Sequence, residues 1–202
     1  MDNNLTIEEF YASFFKECHL FERKPRISGN QIFRRDEPSG NKKLNKPDFM
    51  CYLTDRAIIF EVSNLRDLVS EGSRLKLKPG TTFCYDITKQ PINKINEKMQ
   101  ENFNNVDLDF NSPIVLLFNV DLSDVDPIQI ALVLNEEMDS IIKKELISAI
   151  IICKKSFSTA ILFINKCSKN KLSEKEVLVI SNIFSKKGFN FANQLTQDNL
   201  IE

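Results

Sequence analysis

The sequence predicts an α/β fold with a mixed central β-sheet and helices packed around it. Three observations carry this reading. Three segments open with the same helix-start device, a capping side chain followed three residues later by Glu or Gln, with apolar residues outside the pair. Residues 114–120 and 147–153 are short continuous apolar runs, as expected of strands buried on both faces. Helix and strand signals also interleave along the chain instead of falling into separate halves.

The elements follow in order. Thr6 caps the first helix with Glu9 as its reciprocal partner, and Leu5 packs on Phe10. Ile7, Phe10, Tyr11, Phe14, Phe15, Cys18 and Phe21 recur at helical spacing, which extends that helix to about Phe21. Residues 31–35 are a weaker strand. Residues 49–53 and 57–63 read as a hairpin turning at Thr54-Asp55-Arg56. A polar insertion at about 64–81 and a weak strand at 82–87 precede a helix from Pro91 to Phe103, with Ile92, Ile95, Met99 and Phe103 on one side. After the strand at 114–120, Asp126 and Pro127 open the next helix, with proline at its first position. Strands at 147–153 and 159–164 follow. Ser173 and Glu176 then start a last helix that Gly188 ends. There is no internal repeat or linker, so one domain spanning 1–202 is expected.

Composition narrows the function. A chain of 202 residues can bury a full core without disulfides or metals. Its five cysteines are scattered and form no Cys-x-x-Cys pair, which points to a reducing compartment. No secretory signal is visible, and the apolar runs fall well short of the ~18 residues of a membrane span. A cytoplasmic protein without a membrane partner is the expectation. The net charge is −1, but the charges are segregated. Residues 22–46 carry eight basic side chains against three acids, whereas 99–142 carry nine acids and no Lys or Arg. Such segregation can build a basic face on a neutral protein. Arg34, Arg35, Lys42, Lys43 and Lys46 are its candidate nucleic-acid contacts.

Several chemistries are disfavoured. The five glycines are too dispersed for a phosphate-cradling loop. The single histidine, His19, has no visible triad or zinc partners and reads as a structural or surface residue. No Gly-x-Ser-x-Gly elbow occurs. The acids of 107–126 lack calcium-loop spacing.

What remains is a pair of acids. Pro47 fixes the chain entering the first hairpin strand, with Asp48 at its start. Glu61 follows the apolar run Ala57-Ile58-Ile59-Phe60, where a lone carboxylate is costly to bury unless paired or metal-bound. One or two carboxylates suffice to hold Mg²⁺, its remaining sites going to water and phosphate oxygens.

The run Lys46-Pro47-Asp48-Phe49, followed by Ile58-Ile59-Phe60-Glu61-Val62, resembles the PD-(D/E)xK (restriction-endonuclease-like) superfamily. An opening helix, a basic strand at 31–35, the hairpin, a helix bearing Lys94 and Lys98, and the strand at 114–120 follow that family's core order. The resemblance covers about residues 6–120. It implies a DNA phosphodiesterase using Mg²⁺ (or Mn²⁺), with Asp48 and Glu61 as metal ligands. It departs from the pattern at Ser63, where the family carries a lysine that stabilises charge on the reacting phosphate. Some members move this lysine to the following helix, which makes Lys98 the leading substitute and Lys94 the second. A first-helix carboxylate is also common in the family. Glu9 is explained as the capping acid, and Glu17 is the other candidate. Two functional expectations follow, an active nuclease or the same fold with a decayed site that binds nucleic acid or a protein partner, with an unrelated α/β protein as the remaining alternative. Oligomeric state is not legible.

Overall fold

The computed structural model of the protein describes residues 5–39, 43–65, 90–121 and 125–193. The polar insertion beyond Leu65, the weak strand expected at 82–87, and Lys42 lie outside the described residues. The helices are α1 (Ile7–Phe14), α2 (Gln90–Phe103), α3 (Pro127–Glu137) and α4 (Glu174–Lys186). The strands are β1 (His19–Arg23), β2 (Arg26–Ser28), β3 (Gln31–Phe33), β4 (Phe49–Tyr52), β5 (Ala57–Asn64), β6 (Ile114–Asn119), β7 (Ile147–Lys154), β8 (Thr159–Ile164) and β9 (Asn190–Asn193).

The α/β class and the mixed sheet are as expected. Seven strands form one sheet in the order β1-β4-β5-β6-β7-β8-β9, and β2 and β3 form a separate hairpin. β1, β4 and β5 make an antiparallel meander, and β6 then joins β5 in parallel after the α2 crossover. All three capping boxes form, at Thr6/Glu9, Asp126/Gln129 and Ser173/Glu176. Among the described residues no helix is long and apolar enough to cross a membrane.

Strand alternation divides the core in two. Ala57 and Ile59 of β5 pack with Ile92, Ile95, Met99 and Phe103 of α2 and with Ile130 and Leu134 of α3. Ile58, Phe60 and Val62 point the other way, toward Tyr11 and Phe15 of α1 and Ile180 and Phe184 of α4. Phe49 stacks on Phe60 with centroids 4.7 Å apart and planes 8° from parallel, and Phe15 lies 4.6 Å from Phe60. Such ring pairs add about 0.5–1.5 kcal/mol each beyond their buried area. They also pin the β4–β5 register beside the two acids.

Three expectations need correction. α1 ends at Phe14 instead of running to Phe21, and His19 lies on β1, not on a helix. Phe21 still reaches the same aromatic cluster, 5.8 Å from Phe49, so an apolar spacing that reads as helical is satisfied partly from a strand. Residues 31–33 belong to the small β2–β3 hairpin, outside the main sheet, and Arg34 and Arg35 lie beyond it. β9 was not foreseen, being four residues without an apolar run.

Candidate active site

The β4–β5 hairpin delivers the two acids. Phe49 pairs with Phe60, and the residues just beyond that pair are Asp48 and Glu61. Asp48 donates its backbone N–H to the Phe60 carbonyl (3.1 Å). Its Oδ2 accepts from the Val62 N–H (2.8 Å), so the carboxylate replaces the next backbone acceptor of the ladder. Alternation from Met50 and Ile59, both packed on the α2 side, places Asp48 and Glu61 on that same face. Both are buried, at 5% and 3% exposure.

Each carboxylate meets an ammonium. Lys24, in a left-handed backbone conformation (φ 50°) just after β1, bonds Asp48 Oδ1. Lys98 Nζ lies 3.2 Å from Glu61 Oε1, which also accepts from Asn102 Nδ2 at 2.8 Å. Glu61 Oε2 is buried and has no hydrogen-bond partner among the described residues. Burial first, and the Asp48 charge second, push the Glu61 carboxyl up to about 8, while Lys98 and Lys24 pull the other way. Burial lowers the Lys98 ammonium, but the Glu61 and Glu101 carboxylates outweigh it and hold the group above its ordinary value.

Ser63, two residues along the same face from Glu61, lines a groove of about 430 Å³ with Asn64, Lys94, Lys98, Glu97 and Glu8. Lys94 is held by Glu97 at 2.6 Å and stands on the groove wall. Of the two candidate lysines, Lys98 alone touches Glu61. Glu9 is spent on the cap and Glu17 is exposed. The first-helix carboxylate that borders the groove is Glu8.

Arg34 and Arg35 line a second groove of about 490 Å³ together with Arg23, Tyr52 and Met50, the three arginines outnumbering its two acids, Glu22 and Asp36. Met50 is two residues from Asp48 on the same strand face, so this basic groove adjoins the acids. Lys43 and Lys46 are exposed on the segment leading to Pro47.

Two participants were missed by sequence reasoning. Asn102 carried a usable signal: Lys94, Lys98 and Asn102 recur every fourth residue and so share one flank of α2. Lys24 carried none beyond its basic neighbourhood, because a left-handed turn brings it to Asp48.

The acids fit a hard divalent cation in part. Two carboxylates match the usual protein contribution to Mg²⁺, and the partnerless Glu61 Oε2 is an oxygen with coordination capacity to spare. Among the described residues no group of three or more His, Cys, Asp or Glu converges as a metal cage, so water or substrate oxygens would complete the shell. Comparison with protein-family models, curated proteins and solved structures finds no match to this chain.

Proposed function

We propose that this protein is a Mg²⁺-dependent nuclease of restriction-endonuclease type that hydrolyses DNA phosphodiester bonds. The observation that carries the reading is the Lys98–Glu61 contact at 3.2 Å. It brings a positive charge from α2 to the acid pair whose own strand has Ser63 where the superfamily carries lysine. The succession α1, β1, β4, β5, α2, β6, interrupted by the separate β2–β3 hairpin, has an antiparallel meander followed by a parallel strand and supports the same reading through its likeness to that superfamily's core.

Asp48 and Glu61 would hold the metal. When bound, Mg²⁺ supplies a Lewis acid for the scissile phosphate. Asn102 orients the Glu61 carboxylate. Lys98 places positive charge where the phosphate oxygens gain negative charge, a role that preorganised donors fill without reorganisation. Ser63 can donate a hydrogen bond but no charge. Lys24, with its side chain 49% exposed, can leave Asp48 for a phosphate oxygen when a cation takes its place. Arg34 and Arg35 extend the phosphate path along the neighbouring groove.

A second reading rests on a specific observation: Lys24 bonds Asp48 and Lys98 contacts Glu61, so each acid already has an ammonium partner without metal. That suits a module that binds nucleic acid or a protein partner without cleaving. The deciding experiment measures Mg²⁺-dependent cleavage of single- and double-stranded DNA, with Asp48→Asn as the inactive control. Cleavage by wild type and not by the control supports the nuclease. Equal backgrounds reject it in favour of the binding module.

A further inference from the structure

At the far end of the sheet lies a groove that shares no residue with the acid pair. It measures about 480 Å³ and is lined by Pro127 and Ile128 at the start of α3, Lys154, Phe157, and the β8–β9 residues Thr159, Ile161, Asn190 and Ala192. Strand register explains why these side chains converge. Lys154 pairs with Thr159, Thr159 with Asn190, and Ile161 with Ala192, so all five stand on one face. Asn190 and Ala192 of the last strand are exposed there. Phe157 is 70% exposed on one rim and Ile128 is 46% exposed on the other.

Lys154 sets the chemistry of this groove. The residue is only 7% exposed, yet among the described residues its ammonium makes one hydrogen bond, to the Val125 carbonyl at 3.1 Å. The Phe157 ring lies 4.9 Å away as a cation–π neighbour. Among the described residues no carboxylate forms an ion pair with it. An ammonium has three donors, and a buried one without a counter-charge is costly. Asp126 also borders the groove, but its Oδ1 is taken by the Ile128 N–H and its charge sits on the positive end of α3. Among the described residues, then, Lys154 has no anionic partner, and an anion with an apolar body would complement both its ammonium and the groove wall.

We infer that this groove binds a small amphipathic carboxylate, its head on Lys154 and its hydrocarbon body along Ile128, Phe157, Ile161 and Ala192. A mostly apolar cleft of this size with a few placed polar groups is the usual form of a small-molecule site. The inference is independent of the nuclease reading.

The test is an amide NMR titration of the full chain with octanoate, 1-octanol and octylammonium as probes. Octanoate is expected to saturate a single site, shifting amides at 154–161 and 190–192, and to bind more tightly than the other two. Lys154→Met retains length and apolarity, and removing an unpaired buried charge this way does not threaten folding. It should weaken octanoate at least about tenfold, the loss of one charge contact, and leave octanol unchanged. Ala192→Leu, at an exposed strand position, fills the groove from the other side and should weaken both probes. The inference is overturned if octanoate does not saturate, if it binds no better than octanol, or if Lys154→Met binds it as wild type does.

Discussion

Lys98 on α2 and Glu61 on β5 form an ion pair of 3.2 Å inside a site where the next residue on the strand face, Ser63, carries no charge. The helix thus supplies what the strand lacks. Lys98→Ala should lower DNA cleavage by on the order of 10²–10³-fold, the usual loss when one electrostatic donor to a transition state is removed. Lys94→Ala, on the groove wall and paired with Glu97, should cost much less. Ser63→Lys in the Lys98→Ala background should restore part of the rate. A single-turnover cleavage assay checks all three, and equal losses in the two alanine variants would leave Lys98 without a special role.

Metal binding should be visible without catalysis. An ion that binds only the folded chain raises the melting temperature, so Mg²⁺ or Mn²⁺ should stabilise wild type but not Asp48→Asn or Glu61→Gln. The effect should depend on pH in a definite sense. With Glu61 at about 8 against an ordinary 4.5, the folded chain keeps a proton that the unfolded chain has released between those values. Metal-free stability from this group is therefore highest below about 4.5 and declines as pH rises to about 8. The cation binds the ionised form, so its stabilisation should grow between about pH 6 and about pH 9. Thermal melts with and without Mg²⁺ across that range measure it.

Much of this site was legible before the fold. Pro47, the Thr54–Arg56 turn and the apolar run before Glu61 define a hairpin, and a hairpin of that register must put Asp48 beside Glu61. Lys98 followed from the resemblance, in which some members carry the lysine on the next helix, and from its place on the flank of that helix's buried face. Lys24 was not legible, because it reaches Asp48 through a left-handed turn on a non-glycine residue and a strand, β1, hidden in a helix-like aromatic spacing. β9 was hidden for another reason. As an edge strand its side chains are half wet, and Asn190-Phe191-Ala192-Asn193 shows no apolar run.

Asn102 tests positioning. Its amide holds Glu61 Oε1 at 2.8 Å. Asn102→Leu keeps the branched shape, though it is larger, and removes that donor, leaving a buried acceptor with less support, at about 1–3 kcal/mol. Cleavage should fall, and the pH at which Mg²⁺ stabilisation appears should move upward as Glu61 becomes harder to ionise. Asn102→Gln should recover part of both. A pH shift absent from Asn102→Leu would confine the residue to packing.

Acid stability should depend on a different pair. Arg56, in the β4–β5 turn, donates from Nε and Nη2 to Glu176 at 2.8 Å each, and Ser173 adds its N–H and hydroxyl as the α4 cap. Burial opposes ionisation of Glu176, but these donors overcome it and hold the carboxyl at about 2. The folded value lies below the ordinary 4.5, so the stabilisation is complete above about 4.5 and is lost as pH falls toward 2. Glu176→Gln should cost roughly 2 kcal/mol at neutral pH, a figure moderated because the Arg56 side chain is 35% exposed and partly screened. It should also flatten the acid limb of the stability profile. Urea melts at neutral pH and at about pH 3 compare the two proteins. An unchanged acid limb in Glu176→Gln would assign acid sensitivity to other carboxylates.

The basic groove makes the last prediction. Arg34 and Arg35 are exposed beside Arg23 and Tyr52, next to the strand that carries Asp48. Side chains that neutralise phosphates release counterions, so affinity for DNA should fall steeply with salt. Each arginine that contacts one phosphate contributes about 0.9 to the slope of log affinity against log salt for duplex DNA. Arg34→Ala with Arg35→Ala should therefore weaken binding, reduce that slope by up to about 2, and leave the Mg²⁺-induced rise in melting temperature intact. Fluorescence anisotropy with a labelled duplex in Ca²⁺, at several salt concentrations, separates the terms. A double variant with wild-type slope would place the phosphate path elsewhere, with exposed Lys43 and Lys46 the next positions to substitute.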